Sequence, residues 1–111
     1  MAEHYSYALG RRKSSTARAR LTNGKGNITI NGVVAKDYFA DSPMFMHELG
    51  HPFRAIEDNK YDVSIVVSGG GHAGQVDAIK LAISKALVIK NESLKDTLKK
   101  ADLLARDPRE R

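Results

Sequence analysis

Two hydrophobic periodicities joined by a glycine cluster, over residues 61–90, constrain the fold more than any other feature of this chain. From Tyr61 to Ser68 every second residue (Tyr61, Val63, Ile65, Val67) is apolar or aromatic, and β-branched residues dominate. A two-residue period sends these side chains to one face of a strand. Three glycines follow at 69–71. From Gly74 to Lys90 the period changes. Val76, Ile79, Ile83 and Leu87 recur at helical spacing, while Lys80, Ser84 and Lys85 fall elsewhere. A strand that passes through glycine into a long amphipathic helix requires a sheet with a helix packed on it.

The upstream segments supply more strands. His4 to Gly10 alternates, with Tyr5, Tyr7 and Leu9 on one side. In Thr16 to Leu21, Ala17, Ala19 and Leu21 face one way, and Thr16, Arg18 and Arg20 face the other. The turn dipeptides Asn23-Gly24 and Asn31-Gly32 bracket a short strand, Asn27 to Ile30. Their succession suggests an antiparallel meander. Val33 to Phe39 reads as a short helix. Ser42-Pro43 starts another, with Ser as cap and Pro at the first helical position. It should stop near Gly50, because Pro52 disfavours helical geometry at His51. Asn91 is placed to cap a last helix in which Leu94, Leu98 and Ala101 share a stripe. The order of elements makes the class α+β. A chain of 111 residues is one domain by size, here 1–105, followed by a charged stub at 106–111.

Charge narrows the function. The net charge is +5, and residues 1–25 carry six basic side chains (Arg11, Arg12, Lys13, Arg18, Arg20, Lys25) against the single acid Glu3. The remaining basic and acidic residues balance. A localised basic patch is the electrostatic footprint of a polyanion-binding surface. The chain has no cysteine, which excludes disulfides and thiolate metal sites. No apolar run approaches the ~18–20 residues of a membrane span, and Met1 to Gly10 lacks the pattern of a secretory signal. The expectation is a soluble, cytoplasmic protein with no membrane partner and no cofactor.

Three motifs carry possible chemistry. His47-Glu48-Leu49-Gly50-His51 has H-E-x-x-H spacing, which on a helix sets two imidazoles for zinc with the Glu as general base. A small zinc hydrolase is therefore one reading. Against it stand Gly50 and Pro52 at the helix end and the lack of a nearby third histidine. Gly69-Gly70-Gly71-His72-Ala73-Gly74 has G-x-G-x-x-G spacing between strand and helix, and Glu92 lies near the distance of a ribose-binding acid. The rest of the chain is too short for two βαβαβ halves. Even without a dinucleotide, a glycine turn at a helix N-terminus can receive any phosphate, RNA phosphate included. Third, Gly10 to Leu21 sets three consecutive cations and two hydroxyls before a strand bearing Arg18 and Arg20. Arg grips phosphate through a bidentate fork, and Ser offers a hydroxyl.

Together these stretches resemble the S-nine family of small-subunit ribosomal proteins. The resemblance is carried by Tyr7 to Leu21 (with GRRKSSTARARL), GNITING at 26–32, Asp37-Tyr38-Phe39, Val63 to Leu87 (with SGGGHAGQVDAIKLAISKAL) and Arg106-Asp107-Pro108-Arg109. It implies an α+β fold with a four-stranded, mostly antiparallel sheet and a left-handed βαβ crossover. It implies a structural role in the head of the small subunit, among ribosomal RNA and neighbouring proteins, near the peptidyl transfer RNA site, with no catalysis. Residue by residue, Arg11, Arg12, Lys13, Ser14, Ser15, Arg18, Gly69, Gly70, Gly71, Gly74 and Gln75 are expected near RNA. Arg20, Arg106 and Arg109 within these stretches, and Lys25 beside one, are expected to join them as further cations. The family continues in a long basic extension toward that transfer RNA, whereas 106–111 would span only roughly 20 Å. The expectation is that this form does not reach it.

Overall fold

The computed structural model describes residues 6–12, 14–40, 42–58, 60–101 and 103–104. In chain order the elements are β1 (Ser6–Arg12), β2 (Ser15–Asn23), β3 (Ile28–Ile30), β4 (Val33–Val34), α1 (Ala35–Tyr38), α2 (Pro43–Leu49), α3 (His51–Ile56), β5 (Tyr61–Ser68), α4 (His72–Lys90) and α5 (Lys95–Lys100). A 3₁₀ turn, Glu92–Leu94, precedes α5, and the Asn91 side chain caps it by accepting from the Ser93 N–H. The class is α+β as expected. The sheet has five strands rather than four, in the order β1-β2-β5-β3-β4. The additional strand is the two-residue β4, which occupies the start of the expected Val33–Phe39 helix. Three of the four strand pairings are antiparallel, and β3 runs parallel to β5.

The expected meander does not form, because β5 lies between β2 and β3. Eight residue pairs join β2 to β5, from Thr16↔Ser68 to Asn23↔Tyr61. The three-residue β3 could not offer β2 so long a ladder. The turn after β2 instead carries the chain past the end of β5. Gly24 N–H donates to the Lys60 carbonyl, and the Asp62 carboxylate accepts from Lys25 N–H and Asn27 N–H, each at 3.0 Å. Asn31-Gly32 does close a tight hairpin, with both residues at positive φ (52° and 82°). The Asn31 amide extends the ladder by pairing with both backbone groups of Val67.

Hydrogen bonds from Asn27 and Lys25, in that order, hold the Asp62 carboxyl below its ordinary value. A depressed carboxyl contributes stability that is present above its unfolded pKa and lost as pH falls through the folded one. The melting temperature is therefore expected to decline below about pH 4. Asp62→Asn should melt lower at neutral pH and show a shallower acid decline in circular-dichroism melts. Parallel curves would remove Asp62 from the linkage.

The core lies between the sheet and the helices. Ala17, Ala19 and Leu21 of β2, Val63, Ile65 and Val67 of β5, and Ile30 of β3 face Val76, Ile79, Ala82, Ile83 and Leu87 of α4, and all are buried. The four α4 residues singled out by the helical period are all interior, and Gln75, Ala78, Ala82, Ser84 and Ala86 are buried with them; Ser84 donates its hydroxyl to the Lys80 carbonyl. Strand β1 reverses its apparent polarity. Ser6, Ala8 and Gly10 face α4, while Tyr7 and Leu9 are exposed. The reason is proximity: a Cβ on Gly10 would lie 2.4 Å from the Ala78 carbonyl oxygen and 2.6 Å from the Ala82 nitrogen. Only small side chains fit beneath a helix this close.

The helical segment at 43–56 also differs from expectation. Helix α2 ends at Leu49, but His51 is helical as the first residue of α3, with Pro52 second. A first-turn proline forfeits no intrahelical donor, so Pro52 here opens a helix instead of preventing one.

Candidate nucleic-acid interface

Strand alternation places Arg18 and Arg20 on the sheet face opposite α4, both exposed, while Ala17 and Ala19 between them are fully buried. The strand register builds the rest of this face in rows. Leu9, Arg18 and Val66 form one row, Tyr7, Arg20 and Ser64 the next, and Arg11, Thr16 and Ser68 a third. Arg11 is exposed on the same face. The helices with described contacts to β1, β2 and β5 pack on the other side, chiefly through α4.

The other candidates do not all join this face. Arg12 falls on the α4 side of β1, opposite Ser15, and is partly exposed. Ser14 is exposed beside it. Lys25 is exposed at the far end of β2, roughly 25–30 Å from Ser15 by strand rise. Lys13, Arg106 and Arg109 lie outside the described residues.

The glycine turn after β5 meets the start of β2. Buried Ser15 donates its hydroxyl to the Gly69 carbonyl at 2.9 Å. Gln75, also buried, donates to the same oxygen at 3.2 Å, and its own carbonyl oxygen accepts from the Tyr38 hydroxyl at 2.9 Å. Ser15 and Gln75 thus hold the turn in place through their polar atoms, a bracing role that the sequence pattern does not reveal. Gly69 and Gly70 take positive φ (83° and 62°). A Cβ on Gly69 would lie 2.2 Å from the Ser14 carbonyl oxygen, and one on Gly70 2.4 Å from the Ser15 hydroxyl. A Cβ on Gly74 would lie 3.1 Å from the same hydroxyl. Gly71 differs from all three. It sits at the N-cap of α4 with φ −99°, and its Cβ would meet nothing within 4 Å. The fold therefore requires Gly69 and Gly70 but leaves the space beside Gly71 open. Gly71 immediately precedes a 19-residue helix, whose leading N–H groups have no intrahelical partner.

The rival motifs are accounted for locally. Glu48 accepts a hydrogen bond from Lys80 Nζ at 2.6 Å, and that bond and charge hold its carboxyl below the usual range. Arg54 Nη1 donates to the His47 carbonyl across the break at Gly50. Among the described residues, no group of three His, Cys, Asp or Glu side chains converges to hold a metal ion. The zinc-hydrolase reading has no support in this arrangement. The dinucleotide reading fails on topology, since β5 and α4 belong to a largely antiparallel sheet and not to paired βαβαβ halves. No helix among the described residues is long and apolar enough to cross a membrane.

The fold is thus an α+β module with arginines exposed on one sheet face beside a braced glycine turn. The chain belongs to the ribosomal protein S9/S16 family, whose model matches residues 10–111. It is 44% identical over 103 residues to the small ribosomal subunit protein uS9 of Cytophaga hutchinsonii, covering 92% of this chain and 80% of that protein. It is 40% identical over 111 residues to the uS9 protein of Desulfovibrio desulfuricans, covering all of this chain and 85% of that one. The uS9 protein of Mycoplasmoides gallisepticum matches at 44% over 102 residues, 91% of this chain and 78% of that protein. The chain is thus a ribosomal protein and not an enzyme, and its place is the ribosome, in the cytoplasm.

Proposed function

We propose that this chain is a structural constituent of the small ribosomal subunit head, where it binds ribosomal RNA and adjoins other head proteins. The observation that carries the reading is the outer sheet face, where Arg11, Arg18 and Arg20 stand exposed on rigid strands. Cations on such strands follow a phosphate backbone with little further loss of conformational freedom. Binding there releases counterions and offsets repulsion between RNA segments. At the strand ends, Arg12, Lys13, Ser14 and the open backbone at Gly71 form a second contact, with Ser15, Gln75, Gly69, Gly70 and Gly74 shaping it. Lys25, Arg106 and Arg109 add further positive charge. Recognition is of RNA shape and backbone, because paired RNA hides its base edges in a deep groove. Residues 1–105 act as one RNA-binding domain, and the β3-to-β5 connection has the left-handed sense that the family resemblance implies. Its position supports translation near the peptidyl transfer RNA site.

The test is salt dependence. Replacing Arg11, Arg12 and Lys13 by Ala should weaken binding to small-subunit ribosomal RNA broadly, and should reduce the slope of log affinity against log salt by about 0.7–0.9 per lost phosphate contact. An unchanged slope would place the RNA surface elsewhere.

A further inference from the structure

The outer sheet face is not purely cationic. Tyr7 is 47% exposed, Leu9 37% and Val66 57%, and the register puts all three among the arginines: Leu9 and Val66 flank Arg18, and Tyr7 lies opposite Arg20. Beside this strip lies a depression of about 220 Å³ lined by Arg20, Thr22, Asn27, Thr29, Asp62 and Ser64. A phosphate backbone would engage the arginines but leave the apolar strip wet. It would also be repelled from the depression by the Asp62 carboxylate. A nucleobase suits both features. Its flat face can cover a tyrosine ring and neighbouring aliphatic groups, and its edge has donors for the carboxylate and acceptors for the hydroxyls and guanidinium.

We infer that this face takes an unpaired RNA segment, with one base stacked on Tyr7 and its neighbour seated in the hydroxyl-lined depression. The inference rests on the RNA-binding reading above and changes what is recognised there, from backbone alone to exposed bases. Charge complementarity selects the occupant: Arg11, Arg18 and Arg20 project from the face, and the carboxylate of Asp62 on its rim already accepts two backbone N–H groups.

Fluorescence anisotropy on the full chain tests it, with a mixed-sequence single-stranded RNA and a blunt RNA duplex of equal length as probes. Tyr7→Ala should weaken single-strand binding roughly ten-fold or more, since stacking on an aromatic ring accounts for losses of that order. Duplex binding and the salt slope should stay unchanged, and Tyr7→Phe should bind as the wild type does. Val66→Ala, also at an exposed position and without a change of charge beside Arg18, should repeat the selective loss to a smaller degree, so the test does not depend on one variant folding. Equal losses on both probes, or no loss on either, would overturn the inference. So would an acidic peptide that binds the wild type with the same dependence on Tyr7, because the face would then be a protein-docking surface. If the Arg11, Arg12 and Lys13 replacements leave RNA affinity and salt slope intact, the RNA-binding reading itself fails. If they act and Tyr7→Ala does not, only this inference fails.

Discussion

Gly10→Ala is expected to cost about 3 kcal/mol and to lower the melting temperature by roughly 10–20 °C. The added methyl would lie within 2.4–2.6 Å of the backbone of Ala78 and Ala82, and neither atom can swing aside as a side-chain end can. Helix α4 would have to lift from β1, and the gap would run beneath it over Ala8, Ala17 and Ala19, which are buried there. The loss is one of space alone, since Gly10 is not among the residues with positive φ. Arg11→Ala is the matched control. It lies one residue along the strand on the exposed face and should shift the melt by no more than about 0.5 kcal/mol. Circular-dichroism melts of the two variants decide the matter. A Gly10→Ala protein as stable as the wild type would mean that α4 does not seat against β1 at this distance.

The glycine turn should respond with equal contrast. Gly69→Ala forces a side chain into left-handed backbone and against the Ser14 carbonyl, and is expected to cost about 3 kcal/mol. It would also displace the carbonyl that accepts from both Ser15 and Gln75. Gly71→Ser meets neither obstacle. Its backbone is already extended, its Cβ has open space, and serine is a favoured N-cap residue. Its stability should stay within about 0.5 kcal/mol of the wild type. Incorporation into small subunits then becomes a direct reading of what approaches that backbone. A stable Gly71→Ser protein that incorporates poorly would place RNA against the turn. Full incorporation would remove Gly71 from the contact surface. A valine scan across 69–71 would blur this, because Gly70 is also needed for positive φ.

Much of the site is legible in the order of residues along the chain. The two-residue period of Thr16 to Leu21 places Arg18 and Arg20 on one face, and they stand there exposed. The alternation of Tyr61 to Ser68 and the helical period after Gly74 identify β5 and α4, because both patterns are written within one segment. The motif GRRKSS, by contrast, reads as one basic patch. The fold divides it among three environments: Arg11 on the open face, Arg12 on the helix side, and Ser15 buried under the glycine turn. No local signal marks a serine for burial when its partner is a carbonyl 54 residues away.

Local periodicity therefore determined the class, the principal strand and helix, and the cationic face of β2, since the side-chain direction in a regular element follows from the backbone alone. Tertiary structure decided the rest. It chose β5 over β3 as the partner of β2, because the longer strand offers the longer ladder. It turned Tyr7 and Leu9 outward against their apolar character, because the volume under α4 at β1 admits only Ser6, Ala8 and Gly10. Both outcomes depend on atoms brought together from distant parts of the chain, and a pattern read along one segment carries no information about how closely a second segment will approach it.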